Sequence, residues 1–442
     1  MPPRLVSFLG LFVMIGLAWA MSSHKSRVSW RLVGGGLLLQ FAFALLILKA
    51  PGGRWLFDQF GLLFNQVLSA ISDGAGFLFY VYPDAGEEEG FPPRYVMMRS
   101  LAIKILPTII VFSSMMSILY YVGVMQRLVG GLAWVMRRTL GTSGAETLSA
   151  AANVFVGQTE APLVIRPYVA RMTRSELMVV MVGGFATIAG GVLGLYVTML
   201  GPEYAGHLLT ASVISAPAAL LIAKVMQPEV EQPLTADDAP IDSASPEAAE
   251  GDEDGDATPA GEADPTPPAN VLEAAAEGAA AGMKLALNVL AMLITFVALV
   301  AMGNAVVGWV GGLFGFEGEA AWTLQKAFGY AFAPIALAMG IPWSESGVAG
   351  AMLGEKMVLN EFLAYFSLSQ AAEAGKLSER SVTIMTYALC GFANFSSIGI
   401  QLGGIGGIAP SRRSDLAQLG FRAMLGGSLA AFMTACIAGV LL

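Results

Sequence analysis

The sequence predicts an all-α integral membrane protein of about eight transmembrane helices, with two re-entrant helical hairpins and an inverted repeat built on discontinuous helices. Three observations predict it. Hydrophobic residues make up 55% of the 442 residues, charged residues only 13%, and the mean hydropathy is +0.66; a water-soluble fold carries about 25% charged residues. Eight apolar runs approach the ~20 residues that a helical crossing requires. Polar residues recur, in matching order, inside two stretches whose surroundings are apolar. This composition excludes a cytosolic enzyme with ordinary cores and a disordered chain. The two cysteines, Cys390 and Cys436, both lie in apolar stretches and the two histidines, His24 and His207, are far apart, so neither a disulfide framework nor a histidine metal site is available.

The apolar runs fall at about residues 5–21, 33–47, 101–125, 177–200, 208–225, 285–310, 382–402 and 421–442. Ala18, Trp19 and Ala20 resemble a signal-peptidase site, which leaves cleavage of the first run open; only Arg4 precedes that run, and this favours a retained crossing. Lys25, Arg27 and Arg31 follow the first run, and Arg127, Arg137 and Arg138 follow the third. Arg166, Arg171 and Arg174 precede the fourth, and Arg412 and Arg413 separate the last two. The positive-inside bias puts all four clusters in the cytoplasm, with both termini outside.

Residues 1–49 thus form two N-terminal crossings, and 50–95 an interfacial helix and loop. Residues 96–142 form a scaffold span and connecting helix, and 143–225 a first re-entrant hairpin and half-repeat. Residues 226–270 are a linker, 271–330 a second interfacial helix and scaffold span, and 331–442 the second hairpin and half-repeat. The stretches 51–82 and 270–284 have the amphipathic spacing of helices lying in the membrane surface. Residues 228–270 hold thirteen acidic side chains and no Lys or Arg, so the net charge of −9 becomes +4 for the remainder. A segment so rich in Pro, Ala, Gly and Asp cannot bury enough apolar surface to fold, and it reads as a solvated cytoplasmic linker.

The informative segments break the lipid rule. Residues 151–167 (AANVFVGQTEAPLVIRP) carry Asn153, Gln158, Thr159 and Glu160, are too short and polar to span, and are interrupted by Pro162. A re-entrant hairpin with its tip at the polar cluster fits, since irregular backbone at membrane depth must be buried in protein or line a watery cavity. The next span contains GGFATIAGG (183–191), with Thr187 among glycines. The pattern returns in GEKMVLNEFLAYFSLS (354–369), with Asn360 and Glu361, and in CGFANFSSIG (390–399), with Asn394, Ser396 and Ser397. Glu355 and Lys356 are expected near the start of this hairpin, and Glu345 as its cap near the interface.

Paired interrupted helices of this kind are the mark of a secondary transporter. A carboxylate at mid-membrane costs at least ~2.5–3.5 kcal/mol, so Glu160 and Glu361 need a function or a buried partner. An ion pair with Arg166 or Lys356 is the plain alternative, and helix–helix hydrogen bonding is the alternative for the amides and hydroxyls. No Gly-rich phosphate loop is present to support ATP-driven transport, and the lack of a nucleophile–histidine pair disfavours, without excluding, the rival of another class, a membrane-embedded enzyme acting on a polar small molecule.

At VGQTEAPLVIRPY (156–168), GGFATIAG (183–190), NEFLAY (360–365) and ALCGFANFSSIGIQLGGIG (388–406) the sequence resembles the concentrative nucleoside transporter family. The resemblance extends loosely from about residue 33 to the C-terminus and omits the acidic linker. It implies a bacterial inner-membrane homotrimer that imports nucleosides of the uridine, cytidine and adenosine class by elevator-type movement, with no cofactor beyond a coupling ion and no nucleic-acid partner. It also implies roles. Gln158, Thr159 and Glu160 would contact the nucleobase. Glu361, Asn394 and Ser397 would hold the ribose hydroxyls, and Phe392 and Val192 would line the pocket. Sodium would bind the side-chain oxygens of Asn153 and Thr187 and the carbonyls of Val156 and Ile188, hard ligands suited to a hard cation. The Gln-Thr-Glu-Ala-Pro string favours sodium over protons as the driver, with proton coupling the alternative.

Overall fold

The computed structural model describes residues 2–81, 96–97, 101–235, 268–316, 318 and 321–442. Most of the expected acidic linker, 236–267, and the loop 82–95 lie outside the described residues. Helices α1 (Pro3–Ala20), α2 (Trp30–Leu48) and α3 (Pro51–Phe79) open the chain. A two-residue antiparallel pair, β1 (Tyr80–Val81) with β2 (Val96–Met97), follows. Then come α4 (Leu101–Tyr121), α5 (Val124–Leu140), α6 (Gly144–Ala152), α7 (Arg166–Val169), α8 (Arg174–Ala186), α9 (Gly190–Leu200) and α10 (Ala205–Met226). The second part contains α11 (Val271–Leu313), α12 (Leu324–Ala338), α13 (Trp343–Val358), α14 (Glu361–Glu373), α15 (Glu379–Leu389), α16 (Phe395–Ile408) and α17 (Arg413–Leu441).

Among the described residues, five helical stretches are long and apolar enough to cross a membrane, or seven if each of two bent pairs counts as one span. Those pairs are α4 with α5, bent by 77°, and α12 with α13, bent by 116°. The run 382–402, expected as a discontinuous span, is divided by a break at 390–394 into α15 and α16, because Gly391 adopts φ +136° and Asn394 starts a new helix as its N-cap. Conversely, the helix expected at 270–284 does not stand apart. It is the first part of α11, a 43-residue helix that Asn270 caps through its side chain. Alanine has the best helix propensity, so the Ala-rich stretch carries the helix straight on into the apolar run.

One order of elements occurs twice. A helix ending in a polar turn (α6, α13) leads to a second arm (residues 161–169, α14). A helix broken in the middle follows (α8 and α9, α15 and α16), and then a long buried helix (α10, α17). Capping boxes start α6 (Ser143 with Glu146) and α8 (Thr173 with Glu176). Helices α8, α10 and α17 pack together, and almost every residue of α8 and α10 is buried.

The basic clusters collect at one end. Arg422 Nη2 donates to the carbonyls of Met21 (3.0 Å) and Met226 (2.8 Å), and Ser23 N donates to Met226 O at 2.9 Å. Arg412 bonds Asp415 at 2.9 Å and the carbonyls of Ala170 and Met172, while Arg174 reaches Gln418 at 2.9 Å. Arg27, Arg31 and Arg138 line one cavity with Lys224. The two termini meet elsewhere, where Arg4 Nη2 donates to Leu442 O at 2.7 Å.

Candidate substrate and cation site

The polar turns and helix breaks converge on one cavity of about 190 Å³. Every residue for which the resemblance implies a substrate contact lines it: Gln158, Thr159 and Glu160 from the turn after α6, Val192 from α9, Glu361 from α14, and Phe392, Asn394 and Ser397 from the break before α16. Three helix N-termini (α9, α14 and α16) lie at this space, so the positive ends of three helix dipoles adjoin it.

Local sequence explains how the carboxylate is held. Asn360 and Asn394 are both N-caps: Asn360 Oδ1 accepts from Leu363 N and Asn394 Oδ1 from Ser397 N, each at 2.9 Å. With its oxygen committed to the cap, Asn394 turns its amide nitrogen to Glu361 Oε2 at 2.8 Å. Tyr196 of α9 donates to Glu361 Oε1 at 3.1 Å, and its ring stacks on Tyr365 with centroids 4.3 Å apart. Glu361 is 7% exposed. Lys356, the alternative partner, turns elsewhere: its ammonium donates to the Ala388 carbonyl at 2.9 Å and lies 5.7 Å from the centroid of the Phe432 ring. Glu355 and Lys356 sit in the last turn of α13, both buried, rather than at the hairpin's start. A break-free arm reaching back to Trp343 makes the hairpin longer than its polar string suggests. Glu345 joins the first turn of α13 to Ser378, accepting from its N at 3.2 Å and its Oγ at 3.0 Å.

The helix–helix hydrogen bonds set out as the alternative are therefore present, between Asn394 and Glu361 and between Gln158 Nε2 and Ser397 Oγ (3.2 Å), but they stand at the wall of a cavity. Glu160 is exposed to it.

The four residues proposed for the cation also come together. Gly190 N donates to Phe155 O at 2.9 Å, which pins the turn holding Asn153 and Val156 against the break holding Thr187 and Ile188. Asn153 is fully buried; its amide donates to Ser149 O at 3.1 Å, and its Oδ1 has no hydrogen-bond partner among the described residues. A buried orphaned oxygen is costly and suits an ion ligand. Thr187 is 1% exposed and donates to Gly183 O at 2.9 Å, which leaves its lone pairs free. The two breaks touch: a side chain at Gly391 would meet Phe185 O at 2.6 Å, so only glycine lets the second break sit on the end of α8.

Some site residues carry no sequence signal of their own. Tyr196 is a single phenol in an apolar helix, and Gln401 lies six residues beyond the start of α16, yet it donates to Gln158 Oε1 at 3.0 Å. At the base of the first hairpin, Lys224 pairs with Glu146 (2.8 Å) and Glu229 (3.1 Å), and Ser143 Oγ bonds Glu176 at 2.5 Å. This network anchors α6 to α8 and α10.

The sequence matches the families described as Na+ dependent nucleoside transporter N-terminus (residues 9–81) and C-terminus (residues 207–439), with the nucleoside-recognition Gate family between them (residues 102–203). An uncharacterized transporter of Haemophilus influenzae is 44% identical over 440 residues, covering 99% of this chain and 97% of that protein. The sodium/nucleoside cotransporter 1 of Rattus norvegicus is 41% identical over 453 residues, and the chain spans 64% of its length. The fold is similar to that of CNTnw in an inward-facing substrate-bound state, with a TM-score of 0.83, 40% identity, and coverage of 99% of this chain and 97% of that one. CNTnw variants in outward-facing states are equally similar, with TM-scores of 0.82 and 0.83. The chain belongs to the concentrative, Na+-dependent nucleoside transporter family, and is a multi-pass membrane transporter and not an enzyme.

Proposed function

We propose that the cavity is the nucleoside site of a symporter that imports nucleosides of the uridine, cytidine and adenosine class on the sodium gradient. Gln158, Thr159 and Glu160 address the nucleobase. Glu361, Asn394 and Ser397 hold the ribose hydroxyls, and Val192 and Phe392 form the apolar walls. A carboxylate whose two oxygens are each fixed by one donor keeps free lone pairs for two hydroxyl groups. Sodium binds through Asn153, Thr187 and the carbonyls of Val156 and Ile188. The observation that carries this reading is the convergence of all eight substrate residues on one cavity between the two hairpin turns and the two helix breaks.

The repeated order of elements supports an inverted repeat with two re-entrant hairpins and eight crossings, and the family's inward- and outward-facing structures support alternating access. Gathering of the basic clusters at one end, away from the joined termini, supports cytoplasmic loops, a cytoplasmic linker and both termini outside a bacterial inner membrane. An exposed apolar face on α11 (Ile294, Val297, Met302, Val306, Trp309) suits the contact of a homotrimer. Helix α3 lies along the membrane surface, as its amphipathic pattern indicates.

Uptake of labelled uridine into proteoliposomes, with sodium and proton gradients imposed separately, tests the reading. Accumulation of intact uridine on the sodium gradient alone is expected. Accumulation on the proton gradient alone would replace the driver, and a chemically altered product would remove the protein from the symporter class.

A further inference from the structure

Gln401 is fully buried, and its amide nitrogen has two acceptors: the backbone carbonyl of Met181 at 3.1 Å and Gln158 Oε1 at 3.0 Å. A backbone carbonyl can only accept, so the nitrogen of Gln401 must face it. That fixes the oxygen of Gln158 towards Gln401 and its nitrogen towards Ser397 Oγ, 3.2 Å away. Ser397 therefore accepts on this side, and its hydroxyl proton is left for the cavity. Gln401 Oε1 is buried with no partner among the described residues; turning the amide over would set that oxygen against the Met181 carbonyl and strand the nitrogen instead, so the orientation holds. Gly184 makes room for the pair: a side chain there would lie 2.8 Å from both Gln158 Cβ and Gln401 Nε2.

We infer that Gln401 is a positioning residue that sets the donor–acceptor sense of the nucleobase site. Anchored on Met181, it imposes one orientation on the Gln158 amide and makes Ser397 a donor towards the ligand. The fixed Gln158 amide, on the nucleobase side of the cavity, thereby distinguishes a base edge that offers a carbonyl acceptor beside an N–H from one that offers an amine donor beside a bare ring nitrogen. This rests on the reading of the cavity as a nucleoside site. It deepens that reading, because Gln401 does not line the cavity.

Uridine and cytidine differ in this respect, so their dissociation constants from the purified full-length protein in sodium, measured by calorimetry, form the test. Unequal affinities are expected for the wild type. Gln401→Met removes both anchors at nearly constant shape and should bring the ratio towards unity. Gln401→Glu offers Gln158 an acceptor, turns its amide over, and should shift the uridine-to-cytidine ratio by about fivefold or more in the opposite sense. If that variant fails to fold, the Gln401→Met ratio decides. Ratios equal to that of the wild type in the variants that bind, or equal affinities in the wild type, would overturn the role of Gln401. A wild type that binds neither nucleoside overturns the reading of the cavity, and the inference with it.

Discussion

The hydroxyl of Tyr196 lies 3.1 Å from Oε1 of Glu361, across 165 positions of sequence, and the two residues meet where the half-helix α9 passes the N-terminus of α14. One donor from each of two broken helices, Tyr196 from α9 and Asn394 from α16, thus holds the same carboxylate. Tyr196→Phe retains the ring that stacks on Tyr365 and removes one hydrogen bond to a charged group. Nucleoside affinity should fall by about tenfold, whereas Glu361→Gln should abolish saturable binding. Both are read by calorimetry on folded protein.

In the proposed site, Asn394 would serve stability through its cap oxygen and binding through its amide nitrogen. Asn394→Ala loses the cap and the bond to Glu361, and should lower the thermal midpoint as well as abolish binding; a lost cap is worth about 0.5–2 kcal/mol. Asn394→Ser can still cap through its hydroxyl but cannot reach Glu361 as an amide does. It should keep most of the stability and lose most of the affinity, as a thermal melt paired with a binding titration would show.

Sodium dependence should depend on Asn153. Asn153→Ala removes the buried, unpartnered oxygen and should raise the sodium concentration needed for half-maximal nucleoside binding. An unchanged sodium titration would move the cation away from the turn after α6.

Lys224→Met strips the buried Glu146 of its cation, where the pair is 8% and 1% exposed. Breaking a buried pair from one side costs about 3–5 kcal/mol. The expected result is a large drop in the unfolding midpoint, partly recovered in the double variant with Glu146→Gln, which removes the stranded charge.

Much of the candidate site was legible in the sequence because membrane burial makes polar residues conspicuous. Asn153, Gln158, Glu160, Glu361 and Asn394 stand out from apolar neighbours, and the structure brings them to two adjoining places. Tyr196 and Gln401 were not legible, since a lone phenol or amide in an apolar helix gains meaning only from a partner far along the chain. Helix limits failed for local reasons. Alanines carried α11 through a stretch that resembled a separate helix, whereas the break that Gly391 and the Asn394 cap make between α15 and α16 falls in the span read as discontinuous from its glycine and polar residues. The network at Lys224 was hidden for a further reason: its most buried acid, Glu146, belongs to a capping box whose pattern predicts a helix start and not an ion pair.

The central claim is that a nucleoside and a sodium ion occupy this paired site together. The most direct measurement is the thermal unfolding midpoint of the detergent-solubilised protein with individual nucleosides, in sodium or in choline. Ligand bound to the native state raises the midpoint by mass action, and ligands that assist one another's binding do so reciprocally. At least one nucleoside should raise the midpoint in sodium, and by clearly less in choline. No shift with any nucleoside in either salt, or equal shifts in both, would contradict it.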